Sequence, residues 1–348
     1  MDEDTAVVVG LDLGDRRSHM HAVAREGRRV VRRQSVTTDR EGLAQGFCGL
    51  PRCRVVVETG THTPWVAEHL TALGHDPLVV NARDIAYIYR STRKDDRVDA
   101  QKLAMLGLMD PPLLRPVQSR PLSVYQDLAL VRQRVSLVRA RTQLVNAARG
   151  MAKTLGDRVP RCSTESFARR AEKGLEDSVR TALQPLIDGI RDLSTHIAAG
   201  EHRIQELCRT RYPQTCRLTQ VPGVGPILAL SFVLTVGDPT RFRRSREVGP
   251  FFGLVPRRDQ SGARDPELPI TKSGDNLVRW LLVQSAHHIL MKSAPDSDLR
   301  RWALEHTRIG GQAARHKTVV ALARKLAVLL HRLWVTGETY RPLQQTQE

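Results

Sequence analysis

Arg93-Lys94-Asp95-Asp96-Arg97-Val98-Asp99-Ala100 sets acids among bases and runs directly into a helical pattern continued by Leu103, Leu106 and Met109. Residues three apart are neighbours on a helix surface, so Asp96 and Asp99 are expected to share one face of its first turn. Carboxylates held that close repel unless a cation stands between them. Two readings fit the octet: a metal-binding turn, or a charged N-terminal turn in which Arg93, Lys94 and Arg97 neutralise acids that the helix dipole favours anyway. What decides between them is whether the chain brings further acids to the same place.

Working outward towards the N-terminus, Ala6 to Gly14 is a continuous apolar run of strand length with one carboxylate, Asp12, near its end. Ser18–Ala24 and Arg29–Val36 follow as strands joined at Glu26-Gly27, giving an antiparallel meander. Thr38 or Asp39 caps a short helix to Gly49. Cys53 to Val57 is a β-branched run ending at Glu58, Pro64-Trp65 opens a helix to Leu73, and Pro77 to Val80 returns as a strand. The predicted order is three strands, helix, strand, helix, strand, helix. This is the pattern of a ribonuclease-H-like sheet, in which the first and fourth strands are neighbours, so Asp12 and Glu58 are expected to meet Asp96 and Asp99. Asp95 is an alternative to Asp96. Four carboxylates suit Mg²⁺ or Mn²⁺, hard ions that also bind phosphate oxygens, and the chemistry that follows is metal-assisted phosphoryl transfer.

The totals point the same way. The chain has 348 residues and a formal net charge of +17, with a sequence pI near 10.5, which favours a polyanionic partner and above all nucleic acid. The longest apolar stretch, Pro226 to Gly237, is shorter than the ~20 residues that span a bilayer, so no membrane partner is expected. Met1-Asp2-Glu3-Asp4 opens acidic, unlike a signal peptide. The five cysteines form no CxxC pair, which indicates neither a disulfide framework nor a zinc site and suits a reducing cytoplasm.

Beyond the first domain, Leu122 to Ala152 carries Leu128, Val131, Val135, Val138, Thr142, Val145 and Ala152 at heptad spacing, and its outer face is expected to carry Arg132, Arg134, Arg139, Arg141, Arg149 and Lys153, against only Asp127 as an acid. After a break around Pro160 and Gly174, Leu183, Leu186, Ile190, Leu193, Ile197, Ile204 and Leu207 repeat the pattern. Two such helices imply a long antiparallel coiled coil that either serves as a stalk or grips nucleic acid through Arg132 and Arg139, with dimerisation as its consequence. Gln220-Val221-Pro222-Gly223-Val224-Gly225-Pro226 is a tight turn before an apolar helix. Its Gly223 and Gly225 amides are an anion site of the helix-hairpin-helix kind, or else a plain helical corner. Arg241, Arg243, Arg244 and Arg246 beside it favour phosphate contact. Farther on, Arg257-Arg258-Asp259-Gln260-Ser261-Gly262 and Ile270-Thr271-Lys272-Ser273-Gly274-Asp275 surround one hydroxyl, that of Ser261, with Arg257, Arg258 and Lys272. An attacking oxygen and a phosphate could be held together there.

These motifs, in this order and over nearly the whole length, resemble transposases of the insertion-sequence-110 family and its neighbouring 1111 group, the DEDD transposases related to Piv-type DNA invertases. The resemblance implies a RuvC-like domain over residues 1–115, a coiled-coil connector over 116–212 and a C-terminal transposase domain over 213–348. In this α/β plus all-α architecture, a serine joins the acids across a subunit boundary. It implies Mg²⁺ held by Asp12, Glu58, Asp96 and Asp99, Ser261 as nucleophile forming a covalent phosphoserine link, donor and target DNA as partners, and a bridge RNA that pairs with both. It implies a dimer or tetramer acting at the bacterial nucleoid. Many relatives carry Ser-Ser-Gly-Gly where this chain has Gln260-Ser261-Gly262-Ala263, which leaves Ser261 as the aligned candidate, ahead of Ser273. The rival expectations are a RuvC-like structure-specific nuclease that needs no serine, and a non-enzymatic nucleic-acid-binding relative in which the acids only stabilise the fold.

Overall fold

A computed structural model describes residues 6–26, 28–81, 96–109, 114, 116–260, 266, 268–308 and 311–343, the Asp96 side chain excepted. Arg93, Lys94, Asp95 and Ser261 therefore lie outside the described residues. The chain divides into two compact units, Met1–Gln126 and Asp127–Glu348.

The first unit is built on a five-stranded mixed sheet in the order β3-β2-β1-β4-β5. Its strands are β1 (Val7–Asp12), β2 (Arg17–Ala24), β3 (Val30–Thr37), β4 (Cys53–Glu58) and β5 (Asp76–Val80). The first three pair antiparallel, while β1 pairs β4 and β4 pairs β5 in parallel. The first and fourth strands are thus neighbours, as the sequence predicts. β1 is buried from Val7 to Leu11, the property of a central strand covered on both faces.

Side chains alternate along a strand, so each face takes every second residue. Val7, Val9 and Leu11 join Val55 and Val57 in a core closed by Leu43, Phe47, Val66 and Leu70. The last four come from α1 (Arg40–Phe47) and α2 (Thr63–Ala72). Asp39 is the residue that caps α1, its carboxylate accepting from Gly42 N at 2.7 Å. Val8 and Val56 point to the opposite face, where they pack with Leu103, Ala104 and Leu106 of α3 (Asp96–Gly107). Gly10 explains how closely that helix lies: a Cβ there would collide with Ala100 O and Ala104 N. Glycine in a strand interior weakens it except where another backbone must approach, as here.

The second unit has two cores. Helix α4 (Leu122–Thr154) continues from the first unit and lies antiparallel to α6 (Asp177–Thr210). Arg134 is paired with Glu201, Arg141 bonds Ser194, and Leu144 touches the Gly189 position. Between them α5 (Phe167–Gly174), which the sequence reading takes as a break, inserts Phe167, Ala168 and Ala171 into the same core. One heptad assignment needs correction. Thr142 is exposed and its neighbour Arg141 buried, because a straight helix drifts relative to a strict seven-residue repeat.

The other core gathers α7 (Thr215–Leu218), α8 (Pro226–Val236), α9 (Val248–Phe251), α10 (Asn276–Ile289), α11 (Asp298–Arg308) and α12 (Gln312–Thr336). Every residue of α8 from Leu228 to Val236 is buried, so this apolar run is a core helix. Among the described residues, no helix is long and apolar enough to cross a membrane.

Candidate active site

The sheet alternation that puts Val8 and Gly10 under α3 also directs Asp12 to that face, and Val56 does the same for Glu58. Leu11 pairs Val57 in parallel register, so the two acids close adjacent strands side by side. Contacts from Ala100 and Ala104 to the Gly10 position, and from Gly107 to Val8 and Val56, make α3 run antiparallel to β1. Its first turn, with Asp96 and Asp99, is therefore carried to the strand ends where Asp12 and Glu58 stand. Sequence spacing shows three of the four positions as strand or helix ends; the strand pairing and the glycine contacts bring them to one edge.

The electrostatics agree. Burial, and after it the Asp99 carboxylate, holds the Glu58 carboxyl above its ordinary range, the mutual effect of desolvation and a like charge. Lys102, one turn along α3, lies 3.1 Å from Asp99 Oδ1 and partly neutralises it. Asp12, Glu58 and Asp99 are all half-buried. Their donor set, carboxylate oxygens only, fits a hard divalent cation. Among the described residues, however, no three His, Cys, Asp or Glu side chains stand close enough to hold a metal ion. The three carboxylates form an open edge, with Asp96, whose side chain is not described, on the same helical turn as Asp99.

A second arrangement lies in the C-terminal unit. Segments 252–256 and 270–274 are pressed together by an antiparallel bridge between Pro256 and Ile270 and by bonds from Thr271 N to Val255 O and from Lys272 N to Gly253 O, at 2.9 and 3.2 Å. A Cβ on Gly253, whose φ is +67°, would meet the backbone of Ser273. Lys272 itself takes the left-handed region at φ 54°. The buried guanidinium of Arg279 fastens this base, donating to Phe252 O at 3.1 Å, Ser273 O at 2.8 Å and Asn276 Oδ1 at 3.0 Å. Residues 257–260 follow the first of these segments, while Ser261 lies outside the described residues. Arg257, Arg258 and Lys272 are exposed. Ser273 is committed to the clamp, its hydroxyl 3.0 Å from Thr271 Oγ1.

The remaining basic candidates divide by partner. Gly223 and Gly225 are exposed at the turn before α8, and Gly225 is its N-cap with no side-chain cap hydrogen bond. Arg243 and Arg244, past the end of α8, are exposed. Arg132 is ion-paired to Asp275 at 3.3 Å, and Arg139 lies over the Trp280 ring, 6.0 Å from its centroid; both remain exposed.

The sequence reading passes over Lys102, Arg279 and the β2 histidines. Arg279 left a trace, a cation within the buried stripe Val278, Leu282, Ala286, Ile289. His19 and His21 left another, since they alternate on one strand and pair in register with Asp12 and Gly10.

A mixed sheet edged with carboxylates, followed by a basic helical unit, suits a protein that acts on nucleic acid. A family profile for DEDD transposases of the IS110 type matches residues 9–155, and one described as the transposase IS116/IS110/IS902 family matches residues 216–300. The chain is 31% identical over 344 residues to a probable family 20 transposase of Pseudomonas aeruginosa, covering 96% of this chain and 98% of that one. It is 27% identical to the transposase for insertion sequence element IS1328 of Yersinia enterocolitica, over 92% and 94% of the two chains. It is also 29% identical to the IS1111A transposase of Coxiella burnetii, over 73% and 70%. The chain belongs to the IS110 family of insertion-sequence transposases. All four acids fall within the first matched span; the glycine hairpin and Ser261 fall within the second.

Proposed function

We propose that this transposase cuts and rejoins DNA by transesterification at a carboxylate-held divalent metal, with Ser261 as the attacking group. The observation that carries the reading is the convergence of Asp12 and Glu58, ending adjacent parallel strands, with Asp99 near enough to shift the Glu58 carboxyl. Those side chains, with Asp96, would hold Mg²⁺ or Mn²⁺. When bound, such an ion supplies charge neutralisation for phosphate oxygens and lowers the barrier to displacement at phosphorus. The residues of the ribonuclease-H-like edge orient one phosphodiester against the α3 turn. Arg257, Arg258 and Lys272 neutralise the phosphate next to the serine.

In the first step, the Ser261 Oγ–P bond forms as one P–O bond to the sugar breaks, the hydroxyl proton passing to the departing oxygen. In the second step, a sugar hydroxyl of the other strand attacks that phosphorus and restores the serine hydroxyl. The number of phosphodiester bonds is conserved, so no nucleotide triphosphate is consumed. The functional assembly is a dimer or tetramer in which serine and acids come together, and a bridge RNA from the element selects donor and target by base pairing. The reading is supported over a hydrolytic nuclease by the match of residues 216–300, within which Ser261 falls, to the transposase family.

The test is recombination between donor and target DNA in the presence of RNA copurified with the protein. Asp12→Ala and Asp99→Ala should abolish recombination with folding intact. Ser261→Ala should do the same and remove the protein–DNA adduct seen on a denaturing gel. A wild-type amount of adduct from Ser261→Ala rejects the serine, and free ends in place of rejoined strands favour the nuclease.

A further inference from the structure

Beside the acid edge, on the same face of the sheet, is a cavity of about 440 Å³ lined by His19 and His21 of β2, Arg33 and Ser35 of β3, and Arg97 and Gln101 of α3. The register sets its place: His19 is opposite Asp12, His21 opposite Gly10 and also opposite Arg33. The lining is rich in donors and positive charge, whereas the adjoining edge is acidic. His21 is 3% exposed, and its Nε2 is buried with no hydrogen-bond partner among the described residues. A buried polar atom in that state carries an unmet desolvation cost, which an incoming group can recover. Burial, then the charge of Arg33, lowers the pKa of His21.

The lining narrows the ligand. Two guanidinium groups exclude a metal ion. Among the described residues no Phe, Tyr or Trp lines it, so these residues offer no platform for base stacking of the kind single-strand binders use. Two arginines, an amide, a hydroxyl and imidazole nitrogens suit a group with several acceptor oxygens and a negative charge. The distance suits a polymer: β2 lies one strand spacing from β1 and β3 two, about 5 and 10 Å, against about 3.4 Å per nucleotide along a DNA strand.

We propose that this cavity binds a backbone phosphate of the DNA strand being cut, about one to three nucleotides from the phosphate held at Asp12, Glu58 and Asp99. The proposal rests on the reading of those acids as the cutting edge. The cavity fixes which way the strand crosses the sheet, from the acids towards β3.

The test uses the full-length protein, fluorescently labelled (dT)20, and anisotropy across a salt series. Arg33→Ala and Arg97→Ala should each weaken binding and reduce the slope of log affinity against log salt by about 1, the mark of one lost phosphate contact. Arg28→Ala and Arg29→Ala, at the β2–β3 turn, should leave the slope unchanged. With ¹⁵N-histidine labelling, the His21 ring signal should move on adding (dT)20 to the wild type and stay still in Arg33→Ala. Unchanged slopes for Arg33→Ala and Arg97→Ala, or equal falls in the turn variants, would overturn the proposal. So would an effect seen with (rU)20 alone, which assigns the cavity to RNA. The acid reading is tested separately by the Mg²⁺ dependence of affinity, expected to vanish in Asp12→Asn. Its loss with unchanged Arg33→Ala slopes rejects the cavity and keeps the acids.

Discussion

Gly10 and Glu58 show how single residues set the acid edge. The Gly10 position lies against the α3 backbone at Ala100 and Ala104, and backbone cannot yield as a side-chain tip can. Gly10→Ala is expected to lower stability by about 1–3 kcal/mol, as overpacking does, and Gly10→Val by more, measured as a shift in the urea midpoint at unchanged slope. Glu58 has the opposite character: its carboxyl is raised by burial and by Asp99. A raised carboxyl contributes stability below its unfolded pKa and loses that contribution as pH rises through the folded value. In EDTA, Glu58→Gln should therefore become progressively more stable than the wild type as pH rises through the carboxylate range towards neutrality. Thermal midpoints at several pH values check this. A gap that narrows over that range would contradict the assignment. Mg²⁺ at ten times its dissociation constant should stabilise the wild type by about 1.4 kcal/mol and leave Glu58→Gln nearly unmoved.

Among elements, the helix pair and the clamp of the C-terminal unit each depend on a buried arginine. Arg141 is 4% exposed; it bonds Ser194 at 3.3 Å, lies 3.7 Å from Glu165 and leaves Nε without a partner among the described residues. A guanidinium so incompletely met is weak support, and a long apolar replacement is often neutral or stabilising. Arg141→Met is expected to keep or raise the unfolding midpoint, while Arg141→Ala lowers it by leaving a cavity. Arg279 meets three acceptors, so Arg279→Ala strands the Phe252 and Ser273 carbonyls and loosens the clamp between segments 252–256 and 270–274. DNA affinity should persist in that variant while the covalent adduct falls at least tenfold, a gel measurement that separates positioning from binding. These arginines also mark where sequence reading ends. The strands were legible because β-branched runs such as Val7–Val9 and Val55–Val57 have few other uses, and α3 because its apolar residues recur at helical spacing. Arg141 occupies its buried stripe through Ser194, 53 residues away, and Arg279 through backbone carbonyls of Phe252 and Ser273 outside its helix; periodicity carries no information about those partners. The α5 helix was hidden for a related reason: of its eight residues, only Phe167, Ala168 and Ala171 are buried, too few to show a period against the loops around it. The cavity at His21 arises from three elements brought together by pairing register, which no local pattern encodes.

For the molecule as a whole, the charge of +17 and the acid edge have opposite consequences, and an experiment can separate them. The excess of arginine and lysine supplies sequence-independent affinity through counterion release, steep in salt and indifferent to which base is present. The carboxylates oppose that attraction locally, since Asp12, Glu58 and Asp99 repel a phosphate until a divalent cation neutralises them. Two signatures should therefore appear in one binding curve. Without divalent ions, affinity should fall steeply with monovalent salt, and Asp12→Asn should bind DNA as tightly as the wild type or more so, because a repelling charge has gone. With Mg²⁺ the order should reverse: the wild type gains affinity and cuts, whereas Asp12→Asn gains none and does not cut. If the acids only stabilised the fold, Asp12→Asn would lower the thermal midpoint and alter both conditions in parallel. A crossover in affinity with folding unchanged assigns them to the phosphate, and a parallel loss removes that assignment while leaving membership of the transposase family untouched.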